Sequence, residues 1–450
     1  MVKYQMGIIM KKNKNKIIEL SIIFIITFIF SLIFKEPTND DIWNYGFAYN
    51  IATGLIPYKD FNMVTTPLFP TINALFLKLF GLKIYVSYLV NALICTIIFY
   101  FLKKNNKKSY YLTYGILLSI ASPNYNILSL LLLLIIIELE KKDNKDLLIG
   151  VVLGLTFLTK QSIGIYLCIP SLFTFNIKKI SKRILGFIIA IIPTTIYLFY
   201  TNSFYDFINY CFLGITEFGS KNNLVLIIPM IILILSLILL IHEYLKAKNI
   251  RIIYLICFFG VSYPIIDNYH VLIPFIPTFN YFINKLQLNK KIIMISFTMI
   301  ITIISLYNLY EYSDKKKYMI PNVTIQYKYN KLNNNIAKEI RYLASKLKNS
   351  DKNTFLINSS GYILKLEANI PINKYDMLLN GNIGKNGTNR IINDFNQICK
   401  KEQCSFWVNN SNYETKDYNQ YNKELHEYVV NNYIKDEDML GFTIYRNYKK

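Results

Sequence analysis

The stretch PTNDDIWNYGFAYNIATGLIPYKDFNMVTTPLFP, residues 37–70, decides how the rest of this 450-residue chain is read. An apolar run, residues 17–34, comes just before it, and many more follow. Yet the stretch itself carries Asp40 and Asp41 side by side, Asp60, Trp43, Asn44 and three prolines after Pro37. It is too long for a tight turn. Polar, shape-fixing loops between hydrophobic spans are where membrane proteins concentrate function.

Working outward, the composition supports that setting. Hydrophobic residues make up 53% and mean hydropathy is positive, at +0.28, which together with repeated apolar runs describes a polytopic membrane protein. The net charge of +22 is not a nucleic-acid signature. Much of it lies in short basic loops between apolar runs, with no basic–aromatic groove pattern, so it reads as a topology signal. The six cysteines fit no zinc spacing. Cys95, Cys168, Cys211 and Cys257 lie in or beside apolar runs as packing residues. Cys399 and Cys404 lie in the polar tail, where spacing alone does not decide whether they pair.

Basic clusters at 11–16, 103–108, 140–146, 178–183, 246–251 and 285–291 mark one membrane side. With all of them cytoplasmic, the spans are 17–34, 82–102, 109–122, 125–139, 147–159, 162–177, 184–201, 223–245, 252–266, 271–283 and 292–309. That gives about eleven transmembrane helices, a cytoplasmic N-terminus, and everything after Leu309 outside. The first span has no cleavage site and reads as uncleaved. Several spans are short, since the 13 residues of 147–159 reach only about 20 Å against a bilayer core of about 30 Å. Their outer turns, SPNYN (122–126) and TKQS (159–162), then sit below the surface, lining a cavity or buried in protein. Seven acids collect on the outer side: Glu36, Asp40, Asp41, Asp60, Asp206, Glu217 and Asp267.

The division that follows is a transmembrane domain over 1–309 and a soluble extracytoplasmic α/β domain over 310–450. Within the first outer loop, 35–81, residues 40–53 predict a helix capped by Asn39 or Asp40 and stopped by Gly54. Tyr45, Ala48, Tyr49 and Ala52 share its face. Residues 67–80 predict a second juxtamembrane helix ending at Gly81. In the tail, helices are expected at 336–347 and 422–433. Strands are expected at 354–357, 363–366, 406–409 and 442–446, with a turn at the Gly/Asn-rich 380–389. That loop lacks the spacing of a phosphate cradle.

The order of these features resembles the GT-C class of integral-membrane glycosyltransferases, which includes protein O-mannosyltransferases and aminoarabinose transferases of lipid A. The matching residues are Asp40-Asp41, Tyr45, Ala48, Gly54, Pro57-Tyr58, Asp60 and Pro67. SPNYN (122–126), GLTFLTKQSIG (154–164) and DNYHVLIPFIP (267–277) also look similar, so the pattern covers most of 17–309. The resemblance implies a polyprenyl-phosphate sugar donor and a glycan, lipid or protein acceptor met at the outer face of the plasma membrane. It also implies a functional aspartate in the first outer loop, where Asp41 matches best. The class more often carries an acid next, and this chain has Ile42. Either Asp40 supplies the second acid or the motif is incomplete.

Transfer of a sugar from a phosphate to a hydroxyl needs a carboxylate to take the acceptor proton, a cation or strong donors for the leaving phosphate, and an apolar groove for the isoprenoid. Asp41 is the candidate base and Asp40 the second acid; for both, capping of the following helix is the plain alternative. Lys160, at a hairpin turn near membrane depth, suits phosphate unless it only snorkels, and Gln161 is placed to orient it. Asp267 and His270 are spaced to pair on one helical turn, with His270 at the donor phosphate or merely interfacial. Tyr58 and Asp60 shape their turn or face the acceptor. Asp41, Glu217 and Asp206 would admit a magnesium or manganese ion, but no spacing demands one. A polysaccharide polymerase shares this multispan plan. A non-catalytic exporter of lipid-linked oligosaccharide would place charges within many spans, whereas here the acids gather in loops.

Overall fold

In a computed structural model the protein is described over residues 2–34, 39–105, 110–214, 224–263, 265–283, 292, 334–350, 353–357, 361–376, 378, 382–409 and 423–447. Contacts divide it into two units, each assembled from separated stretches of chain. The first holds Met1–Asp41, Ile84–Ala190 and Val225–Lys315; the second holds Ile42–Lys83, Ile191–Leu224 and Lys316–Lys450. The segment Ile42–Lys83 therefore clusters with the polar tail.

The first unit is helical. It contains α1 (Val2–Phe34), α4 (Ile84–Asn105), α5 (Tyr110–Ile120), α6 (Tyr125–Leu139), α7 (Asp146–Thr159), α8 (Gln161–Leu172), most of α9 (Ile177–Tyr200), α11 (Ile227–Ala247), α12 (Ile250–Phe258) and α13 (Asn268–Ile283). α4 packs on α1 and α6, α6 on α7, α7 on α8, α8 on α12, and α13 on α5 and α11. Two kinds of apolar helix result. α6 is hydrophobic all round and buried almost all round, with Ile127, Leu130, Leu133 and Ile136 fully enclosed. α11 leaves Ile227, Ile228, Ile231, Leu235 and Ile238 exposed, a face that fits a lipid environment.

Among the described residues, four helices are long and apolar enough to cross a membrane, within α1, α4, α9 and α11. The others are shorter; α7, at 14 residues, extends about 21 Å. Such apolar helices fit a membrane-embedded protein. The predicted span at 292–309 lies outside the described residues apart from Ile292.

Glycines set the close approaches. A Cβ on Gly150 of α7 would lie 2.1 Å from the carbonyl oxygen of Arg183, and one on Gly186 of α9 would lie 2.1 Å from that of Leu147. α7 and α9 thus touch backbone to backbone, the contact that small residues permit between membrane helices. Likewise a Cβ on Gly164 would lie 2.3 Å from Phe157 Cα, which holds α8 tight against α7 below their shared turn.

The second unit begins inside α2 (Asn39–Ala52), whose Tyr45, Ala48 and Tyr49 are buried on one face as expected. The chain leaves α2 through Gly54 at φ 98°, and α3 (Leu68–Phe80) through Gly81 at φ 101°. Asn50 of α2 clasps the backbone of Ile372 from both sides, donating to its carbonyl at 2.7 Å and accepting from its N–H at 3.1 Å. Asn62 donates to the Asn382 carbonyl at 2.9 Å. These bonds tie residues over three hundred positions apart.

Strands β1 (Thr354–Ile357), β2 (Ser405–Asn409), β3 (Ile434–Met439) and β4 (Phe442–Arg446) form a sheet in the order β1-β2-β4-β3. β1 runs parallel to β2, and the other pairings are antiparallel. Phe355, Phe395 and Phe406 form its core, and a disulfide joins Cys399 to Cys404. The expected strand at 363–366 is instead part of a helix, Gly361–Glu367. Lys365 of this helix is buried and pairs with Asp376 at 2.7 Å. The turn expected at 380–389 runs on into a helix at Gly387–Lys401.

Candidate active site

Asp40 and Asp41 lie in the first turn of α2. One hairpin turn of the same unit meets them, and a second lies within electrostatic reach of Asp40. SPNYN joins α5 to α6, and its Asn124 caps α6, accepting from the Asn126 N–H at 2.9 Å. The same Asn124 side chain donates through Nδ2 to Asp40 Oδ2 at 3.3 Å. The Ser122 hydroxyl donates to Asp41 Oδ1. Asn91 of α4 steadies Ser122: with its amide turned to satisfy both contacts, it donates to the Ser122 carbonyl at 2.8 Å and accepts from its N–H at 3.1 Å.

The second turn is Lys160. It is in extended backbone, ends α7 and starts α8, with its N–H on the Thr156 carbonyl and its carbonyl receiving Gly164 N–H. Its ammonium donates to Asn126 Oδ1 at 3.1 Å and lies 5.4 Å from the centroid of the Tyr125 ring. Among the described residues it makes no ion pair. Gln161 is buried at the start of α8.

His270 and Asp267 pair as their spacing predicts. Asp267 Oδ1 accepts the His270 N–H at 2.8 Å, capping α13, and stands 2.8 Å from His270 Nδ1. That contact holds Nδ1–H toward the carboxylate and leaves Nε2 for another partner. Burial raises the Asp267 carboxyl, but the hydrogen bond and charge of His270 outweigh it and leave it below the ordinary range.

Burial pushes Asp40 above its ordinary value; the charges of His270 and Lys160 and the Asn124 amide pull it back, while Asp267 adds to the rise. Burial lowers the Lys160 amine to about 8, against the opposing pull of Asp40. The arrangement is thus two adjacent carboxylates, a cation without a carboxylate in contact, and an oriented imidazole. It suits a phosphate held by the cation, with a proton acceptor beside it.

Of the expected residues, Asp40, Asp41, Lys160, Gln161, Asp267 and His270 are in the first unit; Asp40 is within electrostatic reach of Lys160, Asp267 and His270, while Asp41 meets Ser122. Tyr58 and Asp60 belong to the second. Tyr58 is buried at φ 70° and donates to the Thr65 carbonyl at 2.8 Å. Asp60 accepts the Ile56 N–H at 2.7 Å and so closes the turn around it. Glu217 lies outside the described residues. No group of three or more His, Cys, Asp or Glu side chains able to hold a metal ion stands together among the described residues. Ser122, Asn124, Asn126 and Asn91 had no role assigned from sequence. The SPNYN turn was visible, but no local signal names the partners of its side chains.

No family model matches the chain, and no curated protein matches it. Two solved structures do, both of ArnT from Cupriavidus metallidurans. The one bound to undecaprenyl phosphate superimposes with a TM-score of 0.59 at 10% identity, over 96% of this chain and 98% of that one. The apo state gives 0.57 at 10% identity, over 97% and 98%. ArnT is an aminoarabinose lipid A transferase of the GT-C class. At this identity the likeness is one of fold, and it spans nearly the whole length of both chains. The chain therefore has the ArnT fold.

Proposed function

We propose that the protein is an integral-membrane glycosyltransferase that moves a hexose or pentose from a polyprenyl-phosphate donor to a glycan, lipid or protein of the cell envelope. The observation that carries this reading is Lys160, an ammonium held at a turn between apolar helices, within electrostatic reach of Asp40 and, among the described residues, with no carboxylate in contact. An isolated cation in such a place costs free energy unless an anion joins it. A lipid phosphate answers both the charge and the apolar surroundings. The undecaprenyl phosphate in one ArnT structure supports this choice of donor.

In the proposed reaction Asp41 takes the acceptor hydroxyl proton, oriented by Ser122. The acceptor oxygen bonds to the anomeric carbon as the carbon–phosphate oxygen bond breaks. The electron pair leaves with the polyprenyl phosphate, whose growing negative charge meets Lys160 and His270. Asp40 holds the ammonium's field at the site. The protein would sit in the plasma membrane with its N-terminus cytoplasmic and its tail outside, where an oxidising environment suits the Cys399–Cys404 bond.

The test is transfer of labelled sugar from a panel of polyprenyl-phosphate monosaccharides by the purified full chain. Asp41→Asn should insert and fold normally yet lose about 100-fold to 10,000-fold in rate. Full activity in both Asp41→Asn and Asp40→Asn would remove the catalytic assignment. No transfer or hydrolysis with any donor would count against the reaction class.

A further inference from the structure

Lys160 lies within electrostatic reach of Asp40 and, among the described residues, makes no ion pair. Asp40 faces it from α2, Asp267 and His270 stand at the start of α13, and Tyr125 presents its ring from α6. Asn126, fully buried on α6, meets the ammonium with an amide oxygen at 3.1 Å. Among the described residues, the Nδ2 of Asn126 has no hydrogen-bond partner. Exchanging the two amide atoms would set an NH2 donor against the ammonium, so the oxygen faces it.

A carboxylate in place of this amide would be sterically equivalent. It would also sit in the first turn of α6, where the helix dipole favours negative charge. It would neutralise the ammonium, however. An amide supplies one directional acceptor and no charge, leaving two of the three ammonium donors and the full positive charge for an incoming group.

We infer that Asn126 is the specificity-determining residue of the cation site: it aims Lys160 without compensating its charge, and so reserves that charge for the phosphate of the donor. The inference rests on the proposed donor only in its last clause. The lowered proton affinity of the amine agrees with it, because burial acts on the ammonium without a contacting carboxylate to oppose it.

Two substitutions separate aiming from charge. Asn126→Asp keeps the shape and the acceptor but adds a charge; Asn126→Ala removes the acceptor and adds none. A residue with only a structural role would tolerate Asp better than Ala. A residue that reserves charge must show the opposite order for anion binding.

The experiment is reductive methylation of the full chain in lipid nanodiscs across neutral to alkaline pH, with Lys160 read by peptide mass spectrometry, in the absence and presence of undecaprenyl phosphate. Without lipid, wild-type Lys160 should become reactive around pH 8. Asn126→Asp should delay this by about one pH unit or more, as an opposite charge in contact does, and Asn126→Ala should not. With lipid, protection should fall in the order wild type, Asn126→Ala, Asn126→Asp, the last weakened about tenfold or more. An unmoved or lowered midpoint in Asn126→Asp, or protection of Asn126→Asp at least equal to that of Asn126→Ala, would overturn the inference. Undecaprenyl phosphate that protects no form, wild type included, would remove the donor reading. The midpoint needs no lipid and would still decide what Asn126 does to Lys160.

Discussion

Helix α7 has a charged group at each end, and the two ends are built on opposite rules. At its first residue, Asp146 meets Arg183 at 2.9 Å, and Arg183 also meets Glu140 at 2.8 Å and the Tyr254 hydroxyl at 3.2 Å. Tyr254 in turn donates to Glu140 at 3.0 Å. One guanidinium is thus held by two carboxylates and a phenol, with its planar fork filled. At the other end, about 21 Å away, Lys160 has one amide oxygen and a ring face. At one end of this helix the cation is compensated by two carboxylates, and at the other, among the described residues, no carboxylate is in contact. The difference teaches where to look for binding: compensated charge holds helices together, and uncompensated charge waits for a ligand.

That contrast breaks most readily at Arg183. Arg183→Ala leaves Glu140 and Asp146 buried without their cation and should lower stability by about 3–5 kcal/mol. Thermal unfolding in detergent reads this directly; a melting temperature equal to wild type would mean the cluster is not structural. Lys160→Met should do the reverse. Its folded-state proton affinity lies below the unfolded one, so the charged ammonium costs stability in full below about pH 8, and the cost fades as pH rises from there toward the ordinary lysine value of 10.5. Removing the charge should therefore keep or raise the melting temperature at neutral pH. Affinity for undecaprenyl phosphate should nonetheless fall by about 10-fold to 100-fold, the worth of a charge-assisted hydrogen bond. A variant that unfolds and binds normally would invert the comparison.

A gentler change sharpens it further. Between neutrality and alkaline pH, donor affinity of the wild type should decline as Lys160 loses its proton near pH 8. Arg183 keeps its charge throughout that range. Stability should then show no matching loss, since loss of the Lys160 proton relieves a cost. Binding titrations and melts recorded on the same samples check whether the two curves part.

Much of this frame was legible beforehand. The apolar run at 125–139 coincides with α6, and the outer-loop helices at 40–53 and 67–80 fall within a residue of α2 and α3 at both ends. Hydrophobic runs bounded by lysines carry that information locally. The Asp267–His270 pair was readable for the same reason, being three residues apart on one turn. What stayed hidden depends on distant partners. Nothing in SPNYN itself says that Ser122 meets Asp41 or that Asn126 meets Lys160, because those contacts span 81 and 34 residues. The clasp of Asn50 on Ile372, across 322 residues, is hidden in the same way. Strand β3, IKDEDM, is mostly exposed and lacks an apolar alternation, so only its pairing with β4 makes it a strand.

The most direct measurement is a structure of the full chain with undecaprenyl phosphate bound in a lipid nanodisc. The account predicts phosphate density within hydrogen-bond distance of Lys160 Nζ, on the side away from Asn126, with Arg183 still closed on Glu140 and Asp146. Phosphate seated elsewhere, with Lys160 turned instead onto Asp40, would contradict it.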